Sequence, residues 1–309
     1  MFGFTQKKIK LVTHNGAFHA DDIFACATLM LVLDKEGKKY EVVRTRDPEI
    51  IKTGDFVFDL GGEYSIEKNI YDHHQVGGAG KRLVGDGDKK VEVEYASFGL
   101  VWKNFGLKLV QDQDVLDFID KKLVAPIDAG DNGMNLVENI YDVSPYMVHN
   151  FFGVMHPTWK EDKSDMDAIF LKCVDIAKII LKREIAQATD GQEAQKKVLE
   201  AYNKSEDKRL VIMETAYPYE YALSGLSEPL YVIYPKTADK TWAVKAVRAD
   251  PRDFKNKKDL PSAWAGLRDA ELQKVSGVED AVFCHRALFT AVARSKEGAI
   301  KLAQIALQS

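Results

Sequence analysis

The chain has 309 residues, enough for two domains at roughly 100–200 residues each. Apolar residues make up 46% and charged residues 29%, the balance of an ordinary globular protein with material for a sizeable core. A net charge of -4 argues against a long basic track for nucleic acid, so any such substrate is short or held locally.

Cys26, Cys173 and Cys284 lie too far apart for zinc spacing and read as reduced, buried thiols. Met1–Lys10 is too short and too polar for a signal peptide, and no apolar run approaches the ~20 residues of a membrane span. The expectation is a cytoplasmic protein without a membrane partner.

In chain order, residues 9–13 read as a strand ending at the turn His14-Asn15-Gly16. A helix follows from about His19 to Leu33, with Ile23, Ala27, Met30 and Leu31 at helical spacing. Strands are expected at 40–44, 56–60 and 69–72, then helices at 97–105 and 114–129. Such alternation predicts an α/β domain over 1–164, a mostly parallel sheet flanked by helices. Residues 165–206 read as a helical connector that Gly191 interrupts. From 207 to 309 the pattern shifts to a smaller α+β domain, with strands at 210–214, 230–234, 241–247 and 281–285 and a final helix at 296–307.

Ligands of parallel sheets sit at the carboxyl ends of strands, and the polar residues fall there. His14, His19, Asp21 and Asp22 crowd nine residues at the first strand-to-helix turn. Asp59 ends an apolar run, where a carboxylate is costly unless paired or metal-bound. Asp72-His73-His74 follows another strand, and neighbouring imidazoles there point in different directions. Asp128 and Asp131 end a helix rich in turn residues. Singly, each has a plain structural reading, as first-turn or turn residues. Together they form a nitrogen and oxygen donor set suited to divalent metals. Two such ions form a common device for phosphoryl transfer.

The order His14, His19, Asp21, Asp59, Asp72-His73-His74 and Asp128/Asp131 resembles the DHH phosphoesterase superfamily. Thr13-His14-Asn15-Gly16, Arg44-Thr45-Arg46-Asp47-Pro48-Glu49, Tyr71-Asp72-His73-His74-Gln75 and Asp131-Asn132-Gly133 resemble its Myg family more narrowly. So do Gly61-Gly62-Glu63-Tyr64, Trp264-Ala265-Gly266-Leu267-Arg268-Asp269 and Ser276-Gly277. His19 stands where the superfamily opens with an aspartate, a change that the Myg family shares.

The resemblance implies a DHH-type catalytic domain, a C-terminal substrate-binding domain and two divalent ions, Mn2+ before Mg2+, Fe2+ or Zn2+. It implies that His14, His19 and Asp59 hold one ion. Asp21, Asp59, His73 and Asp128 or Asp131 hold the other, with Asp59 bridging. His74 contacts the scissile phosphate, and metal-activated hydroxide attacks. Arg248, Arg268 and His285 are the candidates for anion contacts. The family tends to carry a glycine-bearing loop after the equivalent of His285; here the loop is Arg286-Ala287-Leu288-Phe289-Thr290. Arg44 and Arg46 read as loop charges, with bracing of the acidic site or a dimer contact as alternatives. The implied activity is phosphodiester hydrolysis or 3′–5′ exonuclease action on RNA or short oligonucleotides, in a possible homodimer. A phosphatase for a small phosphorylated metabolite, nucleotide or polyphosphate is the second reading. A non-catalytic, metal-stabilised interaction protein is the third.

Overall fold

The computed structural model describes residues 7–85, 87–251 and 253–309. Residues 1–6, part of the stretch read above as too polar for a leader, lie outside the described residues. The chain divides into two compact units, Met1–Thr189 and Asp190–Ser309.

The first unit runs β1 (Ile9–Thr13), α1 (Ala20–Lys35), β2 (Tyr40–Arg44), α2 (Pro48–Ile51), β3 (Phe56–Phe58), β4 (Tyr64–Ser65), β5 (Ile70–Tyr71), β6 (Lys81–Val84), β7 (Val91–Glu94) and α3 (Ser97–Val110). It continues with α4 (Gln113–Ile119), α5 (Ala125–Asp131), α6 (Val148–Gly153) and the first half of α7 (Met166–Lys204). The main sheet has the order β2-β1-β3-β5-β4 and is parallel except for β4. It bears out the α/β expectation. Helix α1 is buried on all sides from Ala20 to Leu33, as a helix apolar around its circumference must be. Phe24 stacks on Phe98 of α3 at 5.2 Å and meets Phe152 of α6 edge-on at 5.8 Å.

The stretch expected as one helix over 114–129 is continuous but not uniform. Residues Asp120–Val124 form a π-helical turn between α4 and α5, where the N–H of Ala125 reaches Asp120 O. Pro126 explains it: proline has no N–H to donate and crowds the preceding turn. The extra residue sets which way Asp128 and Asp131 face, a frequent role of π turns at functional sites. Gly191 does not interrupt α7. The division between units falls beside it, at Asp190. Phe170, Cys173, Val174, Ala177 and Leu181 of its first half are buried in the first unit's core.

The second unit contains the end of α7, β8 (Leu210–Ile212), α8 (Glu220–Ser224), β9 (Tyr231–Lys236), β10 (Thr241–Ala246), α9 (Asp269–Ser276), β11 (Ala281–Cys284), β12 (Thr290–Ala293) and α10 (Lys296–Gln308). Its sheet has the order β11-β12-β10-β9-β8. Alternate strand residues serve opposite faces. Tyr231 and Ile233 pack with Leu272, Leu302 and Ala306, whereas Val211 and Val232 pack with Val198, Tyr219 and Leu223.

The exposed turn between β9 and β10 holds Lys240 at φ +50. A left-handed non-glycine residue costs about 1–2 kcal/mol, and glycine's extra unfolded-state freedom returns about 0.5–1 kcal/mol of that. Lys240→Gly is therefore expected to stabilise by about 0.5–1 kcal/mol. Denaturant midpoints check this, and a lower midpoint in the variant speaks against it. All three cysteines are free and buried. No helix among the described residues is long and apolar enough to cross a membrane.

Candidate metal centre

Four segments meet at the carboxyl edge of the first unit's sheet. Strand β1 delivers His14, and His19 caps α1. The backbone N–H of His19 donates to Asp22 Oδ1 at 2.8 Å, closing a capping box that holds the turn in shape. Asp59 follows β3 in the left-handed region at φ +52, which aspartate tolerates better than most residues. Its N–H donates to Ser97 Oγ at 2.9 Å and to Tyr71 O at 3.2 Å, so the strained conformation is held from two sides. Gly61 follows at φ +109, where a Cβ would lie 2.9 Å from Ile70 Cγ2.

The Asp59 carboxylate sits between two imidazoles. His14 Nε2 lies 3.0 Å from Oδ2, and His73 Nε2 lies 3.4 Å from Oδ1. His73 Nε2 also lies 3.2 Å from Asp131 Oδ2. Asp59 Oδ1, His73 Nε2 and Asp22 Oδ2 are buried, yet none has the alignment for a hydrogen bond. Orphaned buried polar atoms are rare and call for a reason. Donor atoms of His14, His19 and Asp59 converge, as do those of Asp59, His73 and His74 and those of Asp21, His73 and Asp131.

Second partners orient these donors. His14 Nδ1 donates to Asn15 O at 3.2 Å, and His73 Nδ1 donates to Asn132 Oδ1 at 3.3 Å. The Asn132 amide is fixed in turn, its Nδ2 donating to Asp128 O at 2.9 Å. Both histidines thus keep Nε2 for the site, the usual arrangement around metal-binding imidazoles. His74 Nδ1 donates to Asp72 Oδ1 at 2.8 Å, which leaves Nε2 of this exposed ring for a ligand. Asp72 itself accepts from the N–H groups of Gly62, His73 and His74 and acts as a turn brace.

The two aspartates left open by the sequence differ. Asp131 joins Asp21 and His73. Asp128 is fully buried, and its oxygens are taken by the Gly99 N–H at 3.0 Å and Arg82 Nη1 at 2.7 Å. Asp21 accepts from the N–H groups of Ser97 and Phe98. Sequence reasoning counted Asp22 in the donor cluster, with a first-turn role as its plain reading, and missed Ser97, Arg82 and Asn132 as supports. Of the four, only Asp22 had a signal, its capping-box spacing from His19.

The electrostatics follow from burial and crowding. Burial pushes Asp21 well above the usual carboxylate range, with Asp131 and Asp59 adding to it. Burial and then Asp59 carry Asp22 up to about 7. Burial works to raise Asp59 too, but the hydrogen bond from His14 and the nearby imidazole of His73 outweigh it and hold Asp59 low. Burial alone would lower His73, yet Asp131 and Asp59 push it up to about 11. Without a cation, protons on Asp21, Asp22 and His73 offset the crowded negative charge, while Asp59 stays ionised. The buried, partly orphaned oxygen and nitrogen donors therefore fit divalent ions.

The anion candidates lie in the second unit. Arg268 stacks on Phe283 at 4.5 Å, and His285 meets the same ring edge-on at 6.2 Å. Arg248 instead stacks on Phe254 at 5.0 Å. The loop without glycine closes as a hairpin, with the His285 N–H donating to Thr290 O and Leu288 at φ +57.

The family model described as "Uncharacterised protein family (UPF0160)", with the label MYG1_exonuc, matches residues 10–307. The human protein named MYG1 exonuclease is 30% identical over 96% of this chain and 85% of its own. The chain belongs to the MYG1 family. The MYG1 exonuclease of Rattus norvegicus is 32% identical over 96% of this chain and 84% of its own. The crystal structure of RecJ from Thermus thermophilus in complex with Mn2+ aligns with 97% of this chain at 12% identity and a TM-score of 0.27. This chain spans about half of that one, 52%, and the likeness is too loose to transfer anything from it.

In this MYG1-family site, protons and cations compete for the same atoms. A bound cation must displace protons from the raised Asp21 and His14 and from His73, held at about 11, so metal affinity is expected to climb with pH across about pH 6 to 8. Titration calorimetry with Mn2+ in buffers of different ionisation enthalpy checks this by counting released protons. Affinity that is flat with pH, with no proton released, counts against the donor set.

Proposed function

We propose that the chain is a phosphodiesterase dependent on divalent metal ions, removing nucleotides from RNA or short oligonucleotides in the 3′–5′ direction. The observation that carries this reading is the Asp59 carboxylate, buried and strained between His14 and His73 with Oδ1 unpartnered. The names of the curated relatives support the nucleic-acid part.

His14, His19 and Asp59 would hold one ion, and Asp21, Asp59, His73 and Asp131 the other, with manganese the first choice. When bound, such ions activate water at neutral pH and offset charge on the phosphate oxygens. Asp128 keeps a bracing role through Arg82. His74, its Nδ1–H tied to Asp72, would donate through a protonated Nε2 to a phosphate oxygen. Asp21 and Asp22, buried beneath, hold the His14 to Asp22 turn against the start of α3. Arg268 and His285 offer an anion contact in the second unit, with Arg248 as a further candidate.

The test compares a labelled oligoribonucleotide, a dinucleotide and a nucleoside monophosphate in Mn2+ buffer. Shortening of the oligonucleotide is expected, with activity lost in chelator and regained with manganese. Turnover of the monophosphate alone would favour the phosphatase reading, and turnover with no metal present would refute the mechanism.

A further inference from the structure

Arg44, read from sequence as a loop charge, is buried, with its side chain 2% exposed. Its guanidinium lies over Phe170 at 4.6 Å. Nη2 donates to Gly16 O at 2.8 Å, Nη1 donates to Asp167 Oδ1 at 2.9 Å, and Nε has no hydrogen-bond partner. Burying a cation in this way costs stability unless something answers its charge. The Asp167 carboxylate does so in part, but its side chain is 69% exposed.

Arg44, Gly16 and Asp167 line a cavity of about 520 Å³, within the range of about 300–1,000 Å³ typical of small-molecule sites. Lys163 and Ser164 stand on its wall, and the first turn of α7 contributes Met166 and Asp167. The positive end of a 39-residue helix thus adds to the two cations. The opposite wall is Asn15, Gly16 and Ala17, the turn that joins His14 to His19. The cavity therefore adjoins the metal centre through consecutive residues, yet contributes no ligand to it.

We propose that this cavity is an anion subsite that takes a phosphate of the substrate other than the one cleaved, with Asp167 as the placeholder that the phosphate displaces. The link to substrate rests on the phosphodiesterase reading; binding of the anion does not. The Arg44 guanidinium, the exposed Lys163 ammonium and a helix N-terminus are standard components of phosphate recognition. A chain with consecutive phosphates would place one at the metal centre and its neighbour here.

The first measurement uses the full chain in chelator, titrated with inorganic phosphate while the amide resonances of Gly16 and Ser164 are followed. Saturable shifts are expected. Asp167→Asn should half-saturate at a phosphate concentration about threefold or more lower, and Lys163→Glu at one about tenfold higher. Absence of saturation in both the parent and Asp167→Asn, or curves unmoved by either substitution, overturns the subsite. This measurement involves no turnover, so its failure is separate from failure of the phosphodiesterase reading. The second uses manganese-loaded protein. Lys163→Glu should raise KM about tenfold for a 5′-phosphorylated dinucleotide and leave bis(para-nitrophenyl) phosphate, with its single phosphate, unchanged. Equal effects on both substrates overturn the assignment to a second phosphate.

Discussion

Asp59→Asn is expected to lower phosphodiester hydrolysis by about a thousandfold or more while the protein stays folded. The two effects separate because the substitution keeps shape and removes charge. Asparagine tolerates the left-handed backbone at φ +52 and keeps the N–H that donates to Ser97 Oγ. Lost is the anionic group that His14 and His73 face. In the absence of metal, Asp59 is held below its ordinary value, so its contribution to stability is present above about pH 4 and lost as pH falls further. At neutral pH the variant forfeits that contribution, so a Tm lower by a few degrees is expected with the far-ultraviolet spectrum unchanged. Turnover equal to the parent's would remove Asp59 from the mechanism.

Arg82→Met is expected to cost about 3–5 kcal/mol of stability, the largest effect among the residues outside the donor set. Arg82 reaches Asp128 Oδ2 through Nη1 at 2.7 Å and Asp120 Oδ2 through Nε at 2.9 Å, and it lies over Tyr95 at 4.5 Å. Burial already pushes Asp128 up to about 7 against the pull of Arg82. Without the guanidinium, a fully buried carboxylate keeps only backbone partners, those of Gly99 and Ala96. The site is too tight to rearrange, since a Cβ on Gly99 would fall 1.9 Å from Asp128 Oδ2. A carboxyl group raised in the folded state binds more protons there than in the unfolded chain, so stability falls as pH rises from about 4 through the folded value. Arg82→Met should steepen that fall between about pH 5 and 8, and a second change, Asp128→Asn, should flatten it. Chemical denaturation at several pH values measures both. A variant as stable as the parent at every pH contradicts the buried pair.

Much of this was legible because the first unit writes its topology in short apolar runs. Residues 9–13 and 40–44 are wholly buried or half-buried strands, and the polar residue ending β1 or β3 stands at a carboxyl edge by topology alone. The donor set was legible because so many imidazoles and carboxylates at strand ends have no common structural excuse. The hairpin of β6 and β7 escaped because each strand has only four residues and Lys81-Arg82-Leu83-Val84 lacks the period-two alternation that marks a strand. Strand β12 escaped because Arg286-Ala287-Leu288-Phe289 has no turn glycine, and Leu288 adopts the left-handed conformation itself. Arg82 and Arg44 were invisible as buried cations, since burial of a charge depends on partners 46 and 123 residues away. The choice between Asp128 and Asp131 depended on the π turn ahead of Pro126, which spacing alone does not reveal.

The most direct measurement is an anomalous difference map from a crystal grown with manganese, recorded on both sides of the manganese absorption edge. Twin peaks sharing the Asp59 carboxylate are expected, one flanked by His14 and the other by His73. A map with no peak in contact with Asp59, at full manganese occupancy elsewhere, would contradict the metal centre outright.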